Sequence, residues 1–239
     1  MMQKKTKFVK SILACLAITF GSSAIAETTS STFNIYLRGI KAGQLKYAYS
    51  ESGSNYSASG IIQSTGIIGA LAKYKFTAST SGTLSKGTYA PRAYREESDT
   101  GRRQSEKTIS YSNGIPKVSE RKLPKPFWAD PAQQKGTVDP MTAISIVLND
   151  KTDSTVCQTN FDMFDGARRV QITVGSPSKS ENGLTCKGLY KRVEGFSNRE
   201  LSEGRNFPFS VTYVNKSGKY QVSEFDVSTL RGRARFVRQ

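Results

Sequence analysis

Residues 33–62 read FNIYLRGIKAGQLKYAYSESGSNYSASGII, and this stretch decides the fold. Apolar side chains alternate with polar ones over 33–37, again over 45–49 and a third time over 56–62. Successive side chains of a strand point to opposite faces, so each run predicts a strand with one buried face. Short turns rich in glycine and serine separate the runs, and the three strands therefore indicate an antiparallel meander.

The same alternation continues further along the chain. It predicts strands over 74–84, 91–98, 102–111 and 115–122. Asn113-Gly114 lies between the last two and is a strong hairpin signal, because both residues tolerate a positive φ. We therefore expect a mainly β fold, an antiparallel meander that forms a curved sheet or open barrel with one or two short helices. No internal repeat or long linker divides residues 27–239, which we interpret as a single domain.

Two segments interrupt the alternation. Residues 66–73 are apolar without a period of two and predict a short helix or a buried connection. Asp139 and Pro140 are typical of a helix start, because aspartate caps free N–H groups and proline suits the first helical position. We expect a helix over Met141–Leu148 that buries one apolar stripe against the β core. The alternative is that this helix forms a lid over a lipid cavity.

The first 26 residues have the organisation of a cleaved signal peptide. Four lysines precede an apolar run over 11–20, and Ala24-Ile25-Ala26 is an A-x-A cleavage site. The run is too short to span a bilayer comfortably. We therefore expect export to the periplasm and a periplasmic domain over 27–239. A lipoprotein signal at Cys15 is the alternative, although the apolar run continues well past that residue.

Removal of this leader changes the charge and cysteine counts. It takes four of the 35 basic residues and leaves 31 against 19 acidic ones, a net charge of +12. Cys157 and Cys186 remain, and an even number of cysteines in an oxidising compartment predicts a disulfide. A metal pair or a reactive thiol are the alternatives, but the chain has no histidine to complete a zinc site.

The region around these cysteines predicts a three-stranded meander. Asp165-Gly166 lies between alternating runs and indicates a hairpin with a tight turn, or a longer loop that includes Ala167. A third run covers 184–193. The outer strands of a flat meander lie roughly 9.5 Å apart, beyond the roughly 7 Å that a disulfide allows between Cα atoms. Cys157 is therefore expected outside the strands, in an irregular segment that folds over the end of the middle strand.

The lack of histidine also limits the chemistry. It excludes Ser-His-Asp and Cys-His mechanisms and most transition-metal sites. No catalytic residue, cofactor or metal is predicted. Nucleic acid is not an expected partner either, because the protein is exported and no recognition motif accompanies its basic charge.

Three motifs together resemble a bacterial envelope family, domain of unknown function 3108. They are FNIYLRGIKAG from Phe33, VDPMTA at 138–143, and FDGARR at 164–169 preceded by Cys157. The resemblance covers nearly all of residues 33–238. It implies an exported β-rich protein of Gram-negative bacteria with no established activity. It also implies an architecture similar to the curved sheets of periplasmic lipoprotein carriers, which hold acyl chains against an apolar concave face.

Two arginine clusters are candidate ligand sites. Arg168 and Arg169 follow the Asp-Gly turn, where one of them could bind an anionic ligand through its guanidinium. The alternative is that they pair with nearby acids such as Asp162 or Asp165. Arg231, Arg233 and Arg235 are spaced by two, so a strand would place all three on one face, with Arg238 nearby. This face could bind a phosphate-rich surface, or it could be a solvated edge that charge protects from aggregation.

Trp128 is the third candidate. Residues 123–131 read LPKPFWADP, with three prolines around the only tryptophan. The stretch indicates an extended loop that could recognise a partner. Our preferred interpretation is that Phe127 and Trp128 fold back onto the mouth of the barrel as part of the core.

These features favour a non-enzymatic envelope protein. We expect it to bind a lipid, a lipoprotein or an anionic polymer of the envelope, or to support envelope integrity. One alternative is a cell-wall or polysaccharide hydrolase that uses two carboxylates among Asp139, Asp162, Asp165 and Glu194, about 5–9.5 Å apart. Another is an interaction scaffold that uses the proline-rich loop. The oligomeric state is not predicted.

The leader generates a direct test. Protein recovered from the periplasm of an expressing Gram-negative cell is expected to begin at Glu27, because signal peptidase cleaves after A-x-A. Intact-mass measurement and N-terminal sequencing check this. Recovery of a lipid-modified chain that begins at Cys15 would support the lipoprotein alternative instead.

Overall fold

The computed structural model describes residues 27–71, 73–120, 123–229 and 232–239, and these residues form thirteen strands and three α-helices. In chain order the elements are β1 Glu27–Leu37, β2 Ile40–Ser52, β3 Asn55–Ser64, α1 Gly66–Leu71, β4 Lys75–Ser85, β5 Thr88–Asp99, β6 Gln104–Ser112, β7 Ile115–Glu120, α2 Pro140–Leu148, β8 Thr159–Phe164, β9 Arg169–Ser180, β10 Gly183–Glu194, α3 Asn198–Glu203, β11 Asn206–Lys216, β12 Lys219–Thr229 and β13 Gly232–Arg238. One 3₁₀ turn covers Pro131–Gln133. The leader, with Cys15, lies outside the described residues.

All thirteen strands belong to one antiparallel sheet. Their order is β7-β6-β5-β4-β3-β2-β1-β13-β12-β11-β10-β9-β8, so two meanders meet where β1 pairs with β13. Phe33 lies opposite Arg238 and Ile35 opposite Phe236 in that central pair. The expectation of a mainly β fold built from an antiparallel meander is confirmed.

The two ends of this curved sheet, β7 and β8, are bridged by the chain between them. The N–H of Gly136 donates to the Gly114 carbonyl beside β7, at 3.0 Å. Val138 forms a parallel bridge to Met163 of β8, with hydrogen bonds of 2.9 Å to the backbone on either side of it. A connecting segment, and not a strand pair, therefore spans the gap and makes the sheet barrel-like.

The buried face of the sheet follows the alternation in the sequence. Leu45, Tyr47 and Tyr49 are buried in β2, with Lys46 exposed between them, and Tyr56 and Ala58 are buried in β3. The inward side chains of both meanders form one hydrophobic core together with α2.

Both turns agree with their sequence signals, one as a two-residue turn and the other as the longer loop with Ala167 that was the alternative. Asn113 and Gly114 have φ of 51° and 75° and form the expected two-residue turn between β6 and β7. Asp165-Gly166 does not form a two-residue turn, because Phe164 pairs with Arg169 across a four-residue loop. The Asp165 carboxylate accepts the N–H groups of Ala167 and Arg168, and these bonds stabilise the longer loop.

Helix α2 lies within the curve of the sheet and begins as the sequence predicts. It packs against β3, β4, β5 and β8. Gly60 of β3 permits this close approach, because a Cβ atom there would lie 3.2 Å from the Met141 sulfur. Of the apolar stripe expected at 141, 144, 147 and 148, Met141, Val147 and Leu148 are buried and Ile144 is partly buried.

Buried polar contacts fix both ends of α2 to the sheet. Asp139 Oδ1 accepts the N–H groups of Met141 and Thr142 at 2.9 Å, and Oδ2 accepts the hydroxyls of Thr142 and Thr80 at 2.6 and 2.8 Å. Burial raises the pKa of Asp139, and these four hydrogen bonds oppose the rise. At the other end, Tyr47 donates to the Asn149 side chain at 2.7 Å and Tyr213 donates to the Val147 carbonyl at 3.1 Å.

The disulfide has the arrangement that strand spacing requires. Cys157 and Cys186 are joined, with their Cα atoms 5.3 Å apart. Cys186 is buried in β10, whereas Cys157 lies in a turn before β8 with φ of 56°. Strand β9 lies between β8 and β10, and Cys157 reaches across it near Gly175, in the middle of β9 and not at its end as expected. The expectation that Cys157 lies outside the strands is confirmed.

One helical segment agrees with a stated alternative, and another was not predicted. The apolar segment at 66–73 contains α1, one of the two alternatives. Helix α3 was not predicted, so the described residues hold one α-helix more than expected. Its signal is a capping box in which Ser197 accepts the Glu200 N–H and the Glu200 carboxylate accepts the Ser197 N–H.

Asp139→Ala is expected to lower the free energy of unfolding by about 2–4 kcal/mol, because it removes a helix cap and takes the carboxylate acceptor from two buried hydroxyls. Urea unfolding followed by circular dichroism measures the change. Asp153→Ala, at an exposed acid, is the matched control and is expected to stay within about 0.5 kcal/mol of wild type. Equal effects of the two substitutions would contradict the structural role of Asp139.

Candidate functional site

A large apolar cavity lies between α2 and the inner face of the sheet. Its volume is about 670 Å³. Helix α2 contributes Ala143, Ile144, Val147 and Leu148, and the sheet contributes six aromatic rings, which are Phe33, Tyr190, Phe207, Phe209, Phe225 and Phe236. The cavity is within the size range of roughly 300–1,000 Å³ in which proteins enclose small molecules.

The aromatic wall of the cavity is held by ring contacts across β11, β12 and β13. The Phe225 ring centroid lies 5.2 Å from that of Phe209 and 5.8 Å from that of Phe236. Gly188 of β10 makes room for Phe209, because a Cβ atom at Gly188 would lie 2.2 Å from that ring. The rings therefore form a continuous apolar surface opposite α2.

Arg192 is the one charged side chain among the described residues that line the cavity. Its guanidinium carbon lies 4.7 Å from the ring centroid of Phe207 and 5.0 Å from that of Phe196. Its Nη1 donates to the backbone carbonyls of Glu200 and Gly204, the second at 2.9 Å. Arg192 is thereby fixed between two rings at the C-terminal end of β10.

Helix α3 and its C-cap residue Gly204 provide those carbonyl groups, and Glu200 stabilises the helix. The N–H and hydroxyl of Ser197 donate to the Glu200 carboxylate at 2.9 and 2.8 Å, and Arg168 Nη2 donates to it at 2.8 Å. The hydrogen bonds from Ser197, together with the charge of Arg168, lower the pKa of Glu200 to about 2.

The structure places Arg168 and Arg169 beside acids of the protein. Arg168 pairs with Glu200 at 2.8 Å and lies 3.9 Å from Asp165, and its guanidinium also lies over Phe196. Arg169 pairs with Asp162. The structure therefore agrees with the alternative that the two arginines pair with nearby acids of the protein.

The C-terminal arginines lie in the middle of the sheet. Arg233 pairs with Asp226 and Arg235 with Glu224, each at 2.6 Å, on the face opposite Ala234 and Phe236. Strand β13 pairs with β1 and β12, so the interpretation of this segment as a sheet edge is wrong. Arg238 lies on the opposite face of β13 from Arg233 and Arg235, and its guanidinium carbon is 5.6 Å from the centroid of the Phe33 ring. Arg231 lies outside the described residues.

Phe127 and Trp128 lie in a loop next to the turn between β8 and β9. Phe127 is exposed, so the interpretation of this ring as core is wrong. Trp128 is partly buried, and its Nε1 has no hydrogen-bond partner in the part of the chain that the structure describes. The next residue, Ala129, donates its N–H to the Ala167 carbonyl at 2.9 Å, which joins this loop to the loop between β8 and β9.

The four acids of the hydrolase alternative have structural contacts. Asp139 caps α2, Asp162 pairs with Arg169, Asp165 stabilises its loop, and Glu194 accepts the Gln134 amide at 3.1 Å. None of the four is left without a partner for catalysis. Across residues 27–71, 73–120, 123–229 and 232–239, no three His, Cys, Asp or Glu side chains are grouped to hold a metal ion.

A second, polar cavity of about 550 Å³ lies beyond the C-terminus of α2. Tyr49, Tyr89, Asn149 and Lys151 are among its lining residues. Burial lowers the pKa of Lys151 to about 8, and its Nζ donates to the Ile146 carbonyl at the end of the helix. These contacts link the lysine to the helix end.

Sequence reasoning missed the aromatic wall and Arg192. The wall comes from β11, β12 and β13, and the strands of residues 206–229 were not predicted. A signal is present in Phe207-Pro-Phe209-Ser-Val211, where apolar residues alternate. Arg192 is one of 35 basic residues, and only the pairing of strands identifies it as a cavity residue.

The fold and cavity define a β-barrel-like protein with an apolar interior. The chain belongs to the family described as protein of unknown function DUF3108, whose model matches residues 32–193. No curated protein matches the chain. A crystal structure of a β-barrel-like protein of the domain of unknown function DUF1849 from Brucella abortus is similar, at 10% identity and a TM-score of 0.50, over 88% of this chain and 94% of that one. That likeness concerns the fold alone. Among the described residues, no helix has the length and apolar character needed to cross a membrane.

Glu200→Gln is expected to lower the free energy of unfolding by about 1 kcal/mol at pH 7, because it weakens the capping box and the pair with Arg168. The folded-state pKa lies below the ordinary value of 4.5, so this stabilisation is present above pH 4.5 and is lost as the pH falls toward 2. Urea unfolding at pH 7 and pH 3 measures the free energy of unfolding of the wild-type protein and of Glu200→Gln.

Glu203→Gln on the same helix is the matched control, and its effect is expected to be smaller at pH 7. A difference between wild type and Glu200→Gln that stays constant between pH 7 and pH 3 would contradict this role of the Glu200 carboxylate.

Proposed function

We propose that this protein is exported to the periplasm and binds the acyl chain of an envelope lipid, or of a lipid-bearing envelope molecule, in the cavity between α2 and the sheet. The observation that carries the proposal is the apolar lining of this 670 Å³ cavity. The leader, the disulfide between Cys157 and Cys186, and the implied properties of the family support the proposed compartment.

The hydrophobic effect supplies the affinity in this proposal. An acyl chain that leaves water gains about 25 cal/mol for each Å² of apolar surface that it buries. The six rings and the α2 side chains offer such a chain apolar contacts on both sides. Polar ligands gain little here, because few groups in the lining could replace their hydrogen bonds to water.

Binding is a better-supported role than catalysis. The acids that a hydrolase would need have structural partners, and the cavity lining offers one charged group and few hydroxyls. A carrier or a lipid-dependent envelope component is consistent with this arrangement.

A neutral fluorescent probe with an apolar surface, N-phenyl-1-naphthylamine, tests the proposal. The mature protein is expected to bind it saturably with one site per chain. Ala143→Phe places a ring in the cavity from α2 and is expected to weaken binding about tenfold or more, since the ring takes up space that the probe needs. Fluorescence titration measures the affinity.

Ala90→Phe, at an exposed position of β5, is the matched control and is expected to bind like wild type. Val227→Trp, from the opposite wall of the cavity, replaces Ala143→Phe if that variant fails to fold. A wild-type protein that does not bind the probe, or cavity variants that bind it unchanged, would overturn the proposal.

A further inference from the structure

We infer that the ligand of the apolar cavity is an amphiphile with an anionic head, a carboxylate or a phosphate, and that Arg192 binds this head. The inference rests on the proposed function, because it concerns the polar end of the same ligand. It assigns a specificity to a cavity that is otherwise lined by apolar groups.

The hydrogen bonds of Arg192 use only one of the three nitrogens of its guanidinium. Nη1 is used by the carbonyls of Glu200 and Gly204. Nε is buried and has no hydrogen-bond partner among the described residues. These residues also provide no acceptor for Nη2. Nε and Nη2 form the side of the guanidinium that binds a carboxylate or phosphate through two parallel hydrogen bonds.

The positive charge of Arg192 is also not neutralised within the described protein. Glu200, the nearby acid, directs its carboxylate to Ser197 and Arg168 and gives Arg192 only its backbone carbonyl. Arg168 therefore differs from Arg192 although both lie over Phe196, because Arg168 has acidic partners. A buried donor without a partner is costly, and an anionic head would satisfy it.

The position of Arg192 is fixed before any ligand binds. Its guanidinium lies between Phe196 and Phe207, and two carbonyls of the α3 region hold Nη1. A group that is already oriented loses little conformational freedom on binding, and this favours recognition of a specific head group.

The polar groups of the lining cluster at this end of the cavity. Arg192 lies near the end of β10, and Ser228 and Thr229 lie at the end of β12, with the first residues of β11 between them. The rest of the lining named above is apolar. The ligand is therefore oriented with its head at Arg192 and its chain along α2.

Competition against N-phenyl-1-naphthylamine tests the inference with three ligands of equal chain length, a fatty acid, an alkyl phosphate and a fatty alcohol, all below their micelle concentrations. The mature wild-type chain is expected to bind the acid or the phosphate, or both, at least about tenfold more tightly than the alcohol, because only an anion satisfies the charged donors. Comparison of the two anions distinguishes a carboxylate from a phosphate head.

Arg192→Gln is expected to bind the anions only as tightly as the alcohol, with the alcohol's affinity unchanged. Arg95→Gln removes an exposed arginine of β5 that has its own carboxylate partners and does not line the cavity, and it is expected to keep the preference for anions. Thermal unfolding verifies that each variant is folded. If Arg192→Gln fails to fold, comparison of the fatty acid with its methyl ester on the wild-type protein decides whether the cavity prefers an anionic head.

The outcomes separate the inference from the proposed function. Wild-type protein that binds the probe and all three ligands with equal affinity overturns the anionic head and leaves acyl-chain binding intact. Protein that binds neither the probe nor any ligand overturns the proposed function. A preference for anions that Arg192→Gln keeps in full, or that Arg95→Gln loses to the same extent as Arg192→Gln, would also overturn the inference.

Discussion

The buried carboxylate of Asp139 is the interaction on which the rest of the structure depends. It accepts four hydrogen bonds, two from the first turn of α2 and two from hydroxyls, one of which belongs to β4. A buried carboxylate is stable only when its oxygens are satisfied in this way. Asp139 therefore joins the start of α2 to the sheet at one fixed position, while Tyr47 and Tyr213 hold the other end.

The position of α2 determines where the cavity forms. The helix packs closely against β3, β4 and β5 on one side, where Gly60 permits the contact, and against β8 near the gap in the sheet. The strands from β10 to β13 face it across the cavity with their aromatic side chains. One sheet thus provides both a packed half, which stabilises the fold, and an open half, which can receive a ligand.

Much of this architecture is readable in the sequence, because it rests on local patterns. Alternation in β1 to β7, the positive φ of Asn113-Gly114, and the cap and proline at the start of α2 each depend on a few neighbouring residues. The spacing argument for Cys157 needs only the order of three successive strands. The pairing of β1 with β13 does not, because it joins residues about two hundred positions apart. That pair removes the alternative of a sheet edge at Arg233 and Arg235, whose acidic partners lie on the other neighbouring strand, β12.

The site is harder to predict from the sequence, because it also depends on contacts between residues far apart in the chain. Arg168, Arg169 and Trp128 have conspicuous local sequences, but the arginines bind acids of the protein, and the cavity is built from rings of strands far apart in the chain. Arg192 has no local motif. Its distinction is a contact pattern, with two rings, two carbonyls and no carboxylate partner among the described residues, and only tertiary structure creates it.

The most direct test of the central claim is a crystal structure of the mature protein with a long-chain fatty acid that carries bromine at its methyl end. Anomalous scattering locates the bromine independently of the rest of the density. We expect the bromine inside the cavity beside α2 and the carboxylate at Arg192. Bromine found only on the outer face of the sheet, with the space between α2 and the aromatic wall filled by solvent, would contradict the account.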